Sequence, residues 1–261
     1  MHANALVIIA HGSRDPRHAA TVTELTARVR ALRPGLRVEV GYLDFCAPSV
    51  SQVLSRLAAD GVREVVAVPL LLTHAFHAKV DIPAVLGAAR TALPHLSVRQ
   101  AAVLGPSALL GAALERRLAE AGVRPGDRGT TGVALASAGS SDPEAIAVIA
   151  EIAREWRHTG WCAVRPAFAS AAAPLTSIPG TEDAVRALRA DGARRVAVAP
   201  YVIAPGRLPD RIADGAARAG ADVLADVLGP APEVAALLLR RYEQARQARA
   251  VRTPLGVPLS A

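Results

Sequence analysis

Short apolar runs recur along the chain, and stretches of helical period separate them. Leu6-Val7-Ile8-Ile9-Ala10 and Val65-Val66-Ala67-Val68-Pro69-Leu70-Leu71-Leu72 are nearly unbroken, as strands covered on both faces of a parallel sheet require. Between them Val22, Leu25, Val29 and Leu32 recur at spacings of three and four, which gives one buried helical face. The pattern predicts strands near 5–10, 37–43, 63–71 and 97–103 and helices near 17–32, 48–60, 79–92 and 107–121. Asp15-Pro16 and Pro48-Ser49 mark the starts of the first two helices. Alternation of this kind predicts βαβ units and a parallel sheet; a flavodoxin-like sheet of this kind has strand order 2-1-3-4.

The second half repeats the plan. Val133 to Pro143 lies over Leu6 to Pro16, Asp191 to Pro200 lies over Asp60 to Pro69, and Ala173-Pro174 answers Ala47-Pro48. Three such matches in order, at a nearly constant offset, indicate duplication. Gly122 to Gly129 is rich in glycine and proline and reads as the linker. The expected fold class is therefore α/β, with two tandem flavodoxin-like domains, each a four-stranded parallel sheet flanked by helices. Their expected bounds are 1–124 and 130–250, followed by a tail over 251–261. The copies differ in chemistry: Ala138 stands where the first has His11, and Ala204 to Leu208 carries no histidine where the first has His74 and His77. One active half and one supporting half accounts for this better than structural histidines do.

Composition narrows the classes. Apolar residues make up 51% of the chain and charged residues 20%, enough for packed cores and no case for disorder. Two cysteines, Cys46 and Cys162, make neither a disulfide framework nor a zinc ligand set. The start lacks the pattern of a signal peptide, and no apolar run approaches the roughly 20 residues that span a bilayer, so a soluble cytoplasmic protein is expected. The net charge is +7, and every basic residue except Lys79 is arginine. Scattered arginines, 3% aromatics and no basic tract argue against nucleic acid. A GC-rich genome is the simpler source of the arginine and alanine excess, and a polyanionic small molecule is compatible with the charge.

Ligands of open parallel sheets bind beyond the carboxyl ends of the strands. His11 follows the first strand directly, with Gly12 to let the chain turn. A histidine there either closes the strand end by bonding a carbonyl or faces the ligand, and the residue alone leaves the two readings about even. Ser13 and Asp15 suit the cap of the next helix, whose N-terminus favours anions. The third strand delivers His74 and His77, of which one is expected to face the site. Strands one and three are neighbours, so two imidazoles meet in one crevice, where they serve as metal ligands or proton acceptors. Asp44 and Lys79 border the same crevice, with a solvated loop carboxylate as the equal alternative for Asp44. His2, His18, His95 and His158 read as surface residues, Cys46 as a small packed one, and Trp156 and Trp161 as packing.

These residues resemble the sirohydrochlorin chelatases of the CbiX/SirB kind, the class II chelatases. The resemblance rests on His11-Gly12-Ser13-Arg14-Asp15 after a strand, on Asp44 before Pro48-Ser49, and on His77-Ala78-Lys79-Val80-Asp81-Ile82-Pro83 after Val68-Pro69-Leu70. It covers the first half closely and the second as a degenerate repeat. It implies insertion of a divalent metal into sirohydrochlorin, for sirohaem with Fe2+, the favoured ion, or on the cobalamin route with Co2+. The metal is a substrate, and no organic cofactor is implied. By the same resemblance His11 and His77 are the metal-binding and catalytic pair. Gly12, Ser13, Arg14, Asp44 and Lys79 are expected to contact the polycarboxylate tetrapyrrole, with unidentified arginines from either half as further carboxylate partners, and His74, where the family more often has a small residue, is a possible third histidine. No nucleic acid and no membrane partner is expected. A fused two-lobed chain builds its cleft internally and is expected to be a monomer. Two other classes use similar features. A tetrapyrrole or metal carrier uses the cleft without turnover. A histidine phosphatase also has His-Gly after a strand, but with an arginine immediately before it, where this chain has Ala10.

Overall fold

The apolar run Leu6–Ala10 forms the middle of the first sheet. In the computed structural model, which describes residues 4–170 and 178–250, β1 (Asn4–Ala10) lies between β2 (Arg37–Tyr42) and β3 (Glu64–Pro69), and β4 (Ser97–Gln100) completes the order β2-β1-β3-β4. All pairings are parallel, with Leu6 beside Val38 on one side and Val66 on the other. Alternate residues of β1 face opposite ways. Ala5, Val7 and Ile9 pack under α2 (Val50–Ala59) and α3 (Ile82–Ala92), while Leu6, Ile8 and Ala10 pack under α1 (Pro16–Leu32). That two-sided burial is why the strand carries no polar alternation.

The second sheet repeats the order as β6-β5-β7-β8. Its elements are β5 (Thr131–Ser137), α5 (Pro143–Arg157), β6 (Ala163–Phe168), α6 (Thr181–Ala190), β7 (Arg195–Tyr201), α7 (Arg207–Arg218) and β8 (Val223–Leu224). Two helices cross between the lobes. α4 (Ala108–Glu120) packs on β7, and α8 (Pro232–Ala250) packs on α1 and β3 of the first sheet. The exchange is held by Arg241, which donates to the Val103 carbonyl at 2.8 Å, and by Arg99, which donates to the Ala245 carbonyl at 2.7 Å. One apolar core consequently runs through both lobes, from Leu25 and Val29 past Leu238 and Tyr242 to Leu135 and Ala199.

The expected strand order and repeat are present, and several element ends differ. Asp15 caps α1 with Pro16 in its first turn, as its side chain accepts from the Arg17 N–H at 2.9 Å. Ser49 is the cap of α2, so Pro48 stands before the helix rather than in its first turn. Strand β4 ends at Gln100, short of the expected 103, and β3 ends at Pro69, short of 71. The stretch expected to start α3 at 79 is a π-helical turn over His77–Asp81 that runs into α3. A 3-10 turn over Pro125–Thr130 overlaps residues 122–129, the expected linker, and runs one residue beyond it. Ala173-Pro174, His2 and the tail over 251–261 lie outside the described residues.

Candidate active site

Because β1 and β3 are adjacent, the loops at their carboxyl ends meet. His11 leaves β1 and His77 opens the π-helical turn, and their ring centroids are 4.5 Å apart at an interplanar angle of 63°. The turn after His11 depends on Gly12, whose φ is +95°. A Cβ there would sit 1.8 Å from the Asp44 carbonyl oxygen, so only glycine lets the β2 loop close over the His11 turn. The Asp44 N–H donates to the His11 carbonyl at 2.9 Å and ties the two loops together.

Both imidazoles are anchored through Nδ1. His11 Nδ1 lies 3.1 Å from the Gly12 carbonyl oxygen, and His77 Nδ1 lies 2.5 Å from Asp81 Oδ2. Carbonyls and carboxylates only accept, so these bonds assign the proton to Nδ1 and leave each Nε2 with a free lone pair. For His11 the two alternatives of the sequence reading coexist: the ring bonds a carbonyl and still faces its partner histidine. The Asp81 carboxylate one turn after His77 is the kind of partner that fixes the orientation and tautomer of a metal-binding imidazole. Asp81 was absent from the expected site. Its signal in the sequence is a carboxylate four residues after a histidine, meaningful only once that stretch is helical.

His18, expected at the surface, is half-buried on α1 with its Nδ1 buried and unpartnered. Burial pushes its pKa below the ordinary histidine value, and the neighbouring His11 adds to the shift. His74 is exposed on the loop before His77. Ser13 Oγ accepts from the Asp15 N–H at 3.1 Å and so shapes the helix entry. Asp44 is exposed, and its Oδ1 accepts from the Phe45 N–H at 2.8 Å. Cys46 Sγ lies 3.2 Å from the Ser13 carbonyl. Lys79 reaches across to the second lobe, with Nζ 2.9 Å from Asp142 and 2.8 Å from Glu144. Among the described residues no group of three or more His, Cys, Asp or Glu side chains is arranged to hold a metal ion.

Beside His11 a cleft of about 640 Å³ runs between the lobes, lined by Gly12, Arg14 and Phe45 from the first and by Arg207 and Arg211 of α7 from the second. Arg14 lies over the Phe45 ring at 5.1 Å. None of Arg14, Arg207 and Arg211 has a carboxylate partner among the described residues, in a protein whose other arginines are mostly ion-paired or bonded to carbonyls. The second-lobe arginines were not identifiable from the sequence, because nothing in it places α7 against the His11 turn. Another cavity, of about 600 Å³, lies between α4 and α5; its walls include Leu110, Trp156 and Tyr201 and no histidine. Trp156 and Trp161 are buried as expected, and both indole N–H groups donate to Glu115 of α4. Among the described residues no helix is long and apolar enough to cross a membrane.

The CbiX family model matches residues 5–121 and 132–245. A sirohydrochlorin cobaltochelatase of Priestia megaterium is 30% identical over 212 residues, which are 80% of this chain and 67% of that protein. A sirohydrochlorin ferrochelatase of the same organism is 26% identical over 231 residues, 87% of this chain and 84% of that protein. In fold, the chain is similar to the structure of SirB from Bacillus subtilis with Fe3+. The TM-score is 0.82 at 22% identity, over 95% of this chain and 98% of that one.

Proposed function

The chain belongs to the CbiX family, and on that premise we propose that it inserts a divalent metal ion into sirohydrochlorin, with His11 and His77 of the first lobe as the working pair. The observation that carries this reading is the meeting of two imidazoles 4.5 Å apart, each anchored at Nδ1 and free at Nε2. Metal insertion requires a cation to be held at the macrocycle face while two pyrrole N–H protons leave. A neutral Nε2 suits both needs, since it donates its lone pair to the ion or accepts a proton as a general base. Two ligands leave the other positions of the ion open, so it passes on to the tetrapyrrole instead of being caged. Asp81 keeps the His77 ring oriented through its carboxylate at Nδ1.

Recognition of a polycarboxylate falls to Arg14, Arg207 and Arg211, whose guanidinium forks have no carboxylate partner among the described residues. Lys79 is already held by Asp142 and Glu144, and its first role is joining the lobes. Imidazole accepts Fe2+ and Co2+ alike, so both ions are proposed substrates. The histidine site belongs to the first lobe, 1–124, and the repeat, 130–250, supplies the opposite wall. Because one chain supplies both walls of the cleft, a monomer working in the cytoplasm is the accompanying proposal.

Anaerobic mixing of sirohydrochlorin with Fe2+ or Co2+ tests the activity. The metal-free absorption spectrum should disappear faster with the protein than without it. Tight binding of sirohydrochlorin with no acceleration for either ion would instead identify a carrier.

A further inference from the structure

Phe45 and Phe76 stand beside the imidazole pair, and both are in solvent, 50% and 61% exposed. The chain has only three phenylalanines, and the third, Phe168, is buried. The Phe45 centroid is 6.1 Å from that of His11, and the Phe76 centroid is 5.9 Å from that of His77. With the 4.5 Å approach of the histidines, four rings form one contiguous run with an apolar ring at each end.

The fold gains little from either phenyl ring, since neither belongs to an apolar core cluster. Phe45 carries a further cost. Its φ is +59°, and among the described residues it is the only non-glycine with positive φ. The surrounding loop enforces this conformation. Asp44 Oδ1 takes the Phe45 N–H at 2.8 Å, and the Asp44 carbonyl takes the Cys46 N–H at 2.7 Å. The Arg14 guanidinium lies over the phenyl face at 5.1 Å. Asp44, expected to contact the substrate, is thus the residue that holds Phe45 beside His11.

We propose that Phe45 and Phe76 seat the body of the tetrapyrrole against the imidazoles; this rests on the metal-insertion reading. A tetrapyrrole has a broad apolar body and a charged rim, which need different partners. Aromatic side chains offer large apolar faces with few rotatable bonds, and stacking adds to their burial. The two phenyl rings take the body of the macrocycle, and the three arginines that lack a carboxylate partner among the described residues take its rim. Bound substrate covers the two rings that the folded chain leaves in water, and the imidazoles lie between those two contacts.

The test compares Phe45→Ala and Phe76→Ala with the wild type in Co2+ insertion, separating KM for sirohydrochlorin from kcat. Cobalt binding without tetrapyrrole, read from the visible absorption of the His-bound ion, is measured beside it. Each substitution should raise KM about tenfold and leave cobalt binding and the thermal midpoint unchanged, because the lost contact is made only to substrate. Phe76→Trp should keep the wild-type KM. Unchanged KM in both alanine variants, while the wild type turns over, overturns the seat and leaves the proposed function standing. No turnover by the wild type removes the proposed function and the seat with it.

Discussion

Lys79 and Asp210 occupy equivalent places in the two repeats, carry opposite charges, and are each bonded to the other lobe. Lys79 meets Asp142 and Glu144 at the start of α5, and Asp210 meets Arg17 at the start of α1, 2.6 Å away. The partners are equivalent as well: Glu144 in the second repeat stands where Arg17 does in the first. The chain therefore closes its cleft twice by the same contact with the polarity reversed. Pairing of the first lobe with a copy of itself would set Lys79 against Arg17. Reversal of charge at the repeat thus favours pairing within one chain.

Lys79→Glu should place a third carboxylate beside Asp142 and Glu144 and weaken the join between lobes. Lys79 and Glu144 are solvent-exposed and Asp142 is half-buried, so the effect should be small and should fade in about 1 M salt. Urea unfolding at low and high salt measures it. The Lys79 hydrogen bond also lowers the Asp142 pKa from its ordinary 3.8, with its backbone bond to Glu144 second. Its contribution is fully present above that value and is lost only as pH falls through the lower folded one. The join should therefore persist in mild acid.

Gly12→Ala should damage the site from its backbone. Alanine at φ +95° is strained, and its Cβ would meet the Asp44 carbonyl at 1.8 Å, so the two loops must part. A loss of about 2 kcal/mol or more is expected in urea unfolding, together with weaker cobalt binding.

Asp81→Asn keeps a hydrogen-bonding oxygen near His77 Nδ1 but removes the carboxylate charge that supports a metal-bound ring. Loss of such a partner lowers activity or metal affinity about 10- to 100-fold. Steady-state insertion rates and cobalt titration should agree on the size of the fall. His74→Ala, altering an exposed imidazole, should leave the rate much closer to that of the wild type.

His18 gives a pH dependence of stability with a definite sign. Burial first, and the neighbouring His11 second, lower its folded pKa from the ordinary 6.5, so the unfolded chain takes up its proton at higher pH than the folded one. Stability is then full above pH 6.5 and falls as pH drops from there through the folded value. His18→Leu should remove that part of the slope, which thermal unfolding between neutral and mildly acidic pH will reveal.

Features carried by local pattern were legible in the sequence. The continuous apolar run at Leu6–Ala10 reads as a strand covered on both sides, and a flavodoxin-like strand order makes strands one and three neighbours, which brings His11 and His77 together. What the sequence hid depends on contacts made at long range. The apolar stripes of α4 and α8 show that each must cover a surface, but not that each covers the sheet of the other lobe. Arg207 and Arg211 belong to the cleft only because α7 faces the His11 turn. Asp81 pairs with His77 because the chain there forms a π-helical turn, which residue periodicity does not reveal. Phe45 is set apart by its positive φ and its exposure, neither of which local sequence pattern carries.

Pairing of the two imidazoles is tested most directly by the rate of cobalt insertion into sirohydrochlorin. Wild type, His11→Ala and His77→Ala are compared under anaerobic conditions, each against a protein-free control. Acceleration by the wild type is expected, with rates near the control for both variants and all three proteins folded. Wild-type acceleration retained by either variant would contradict the claim that the two imidazoles act as a pair.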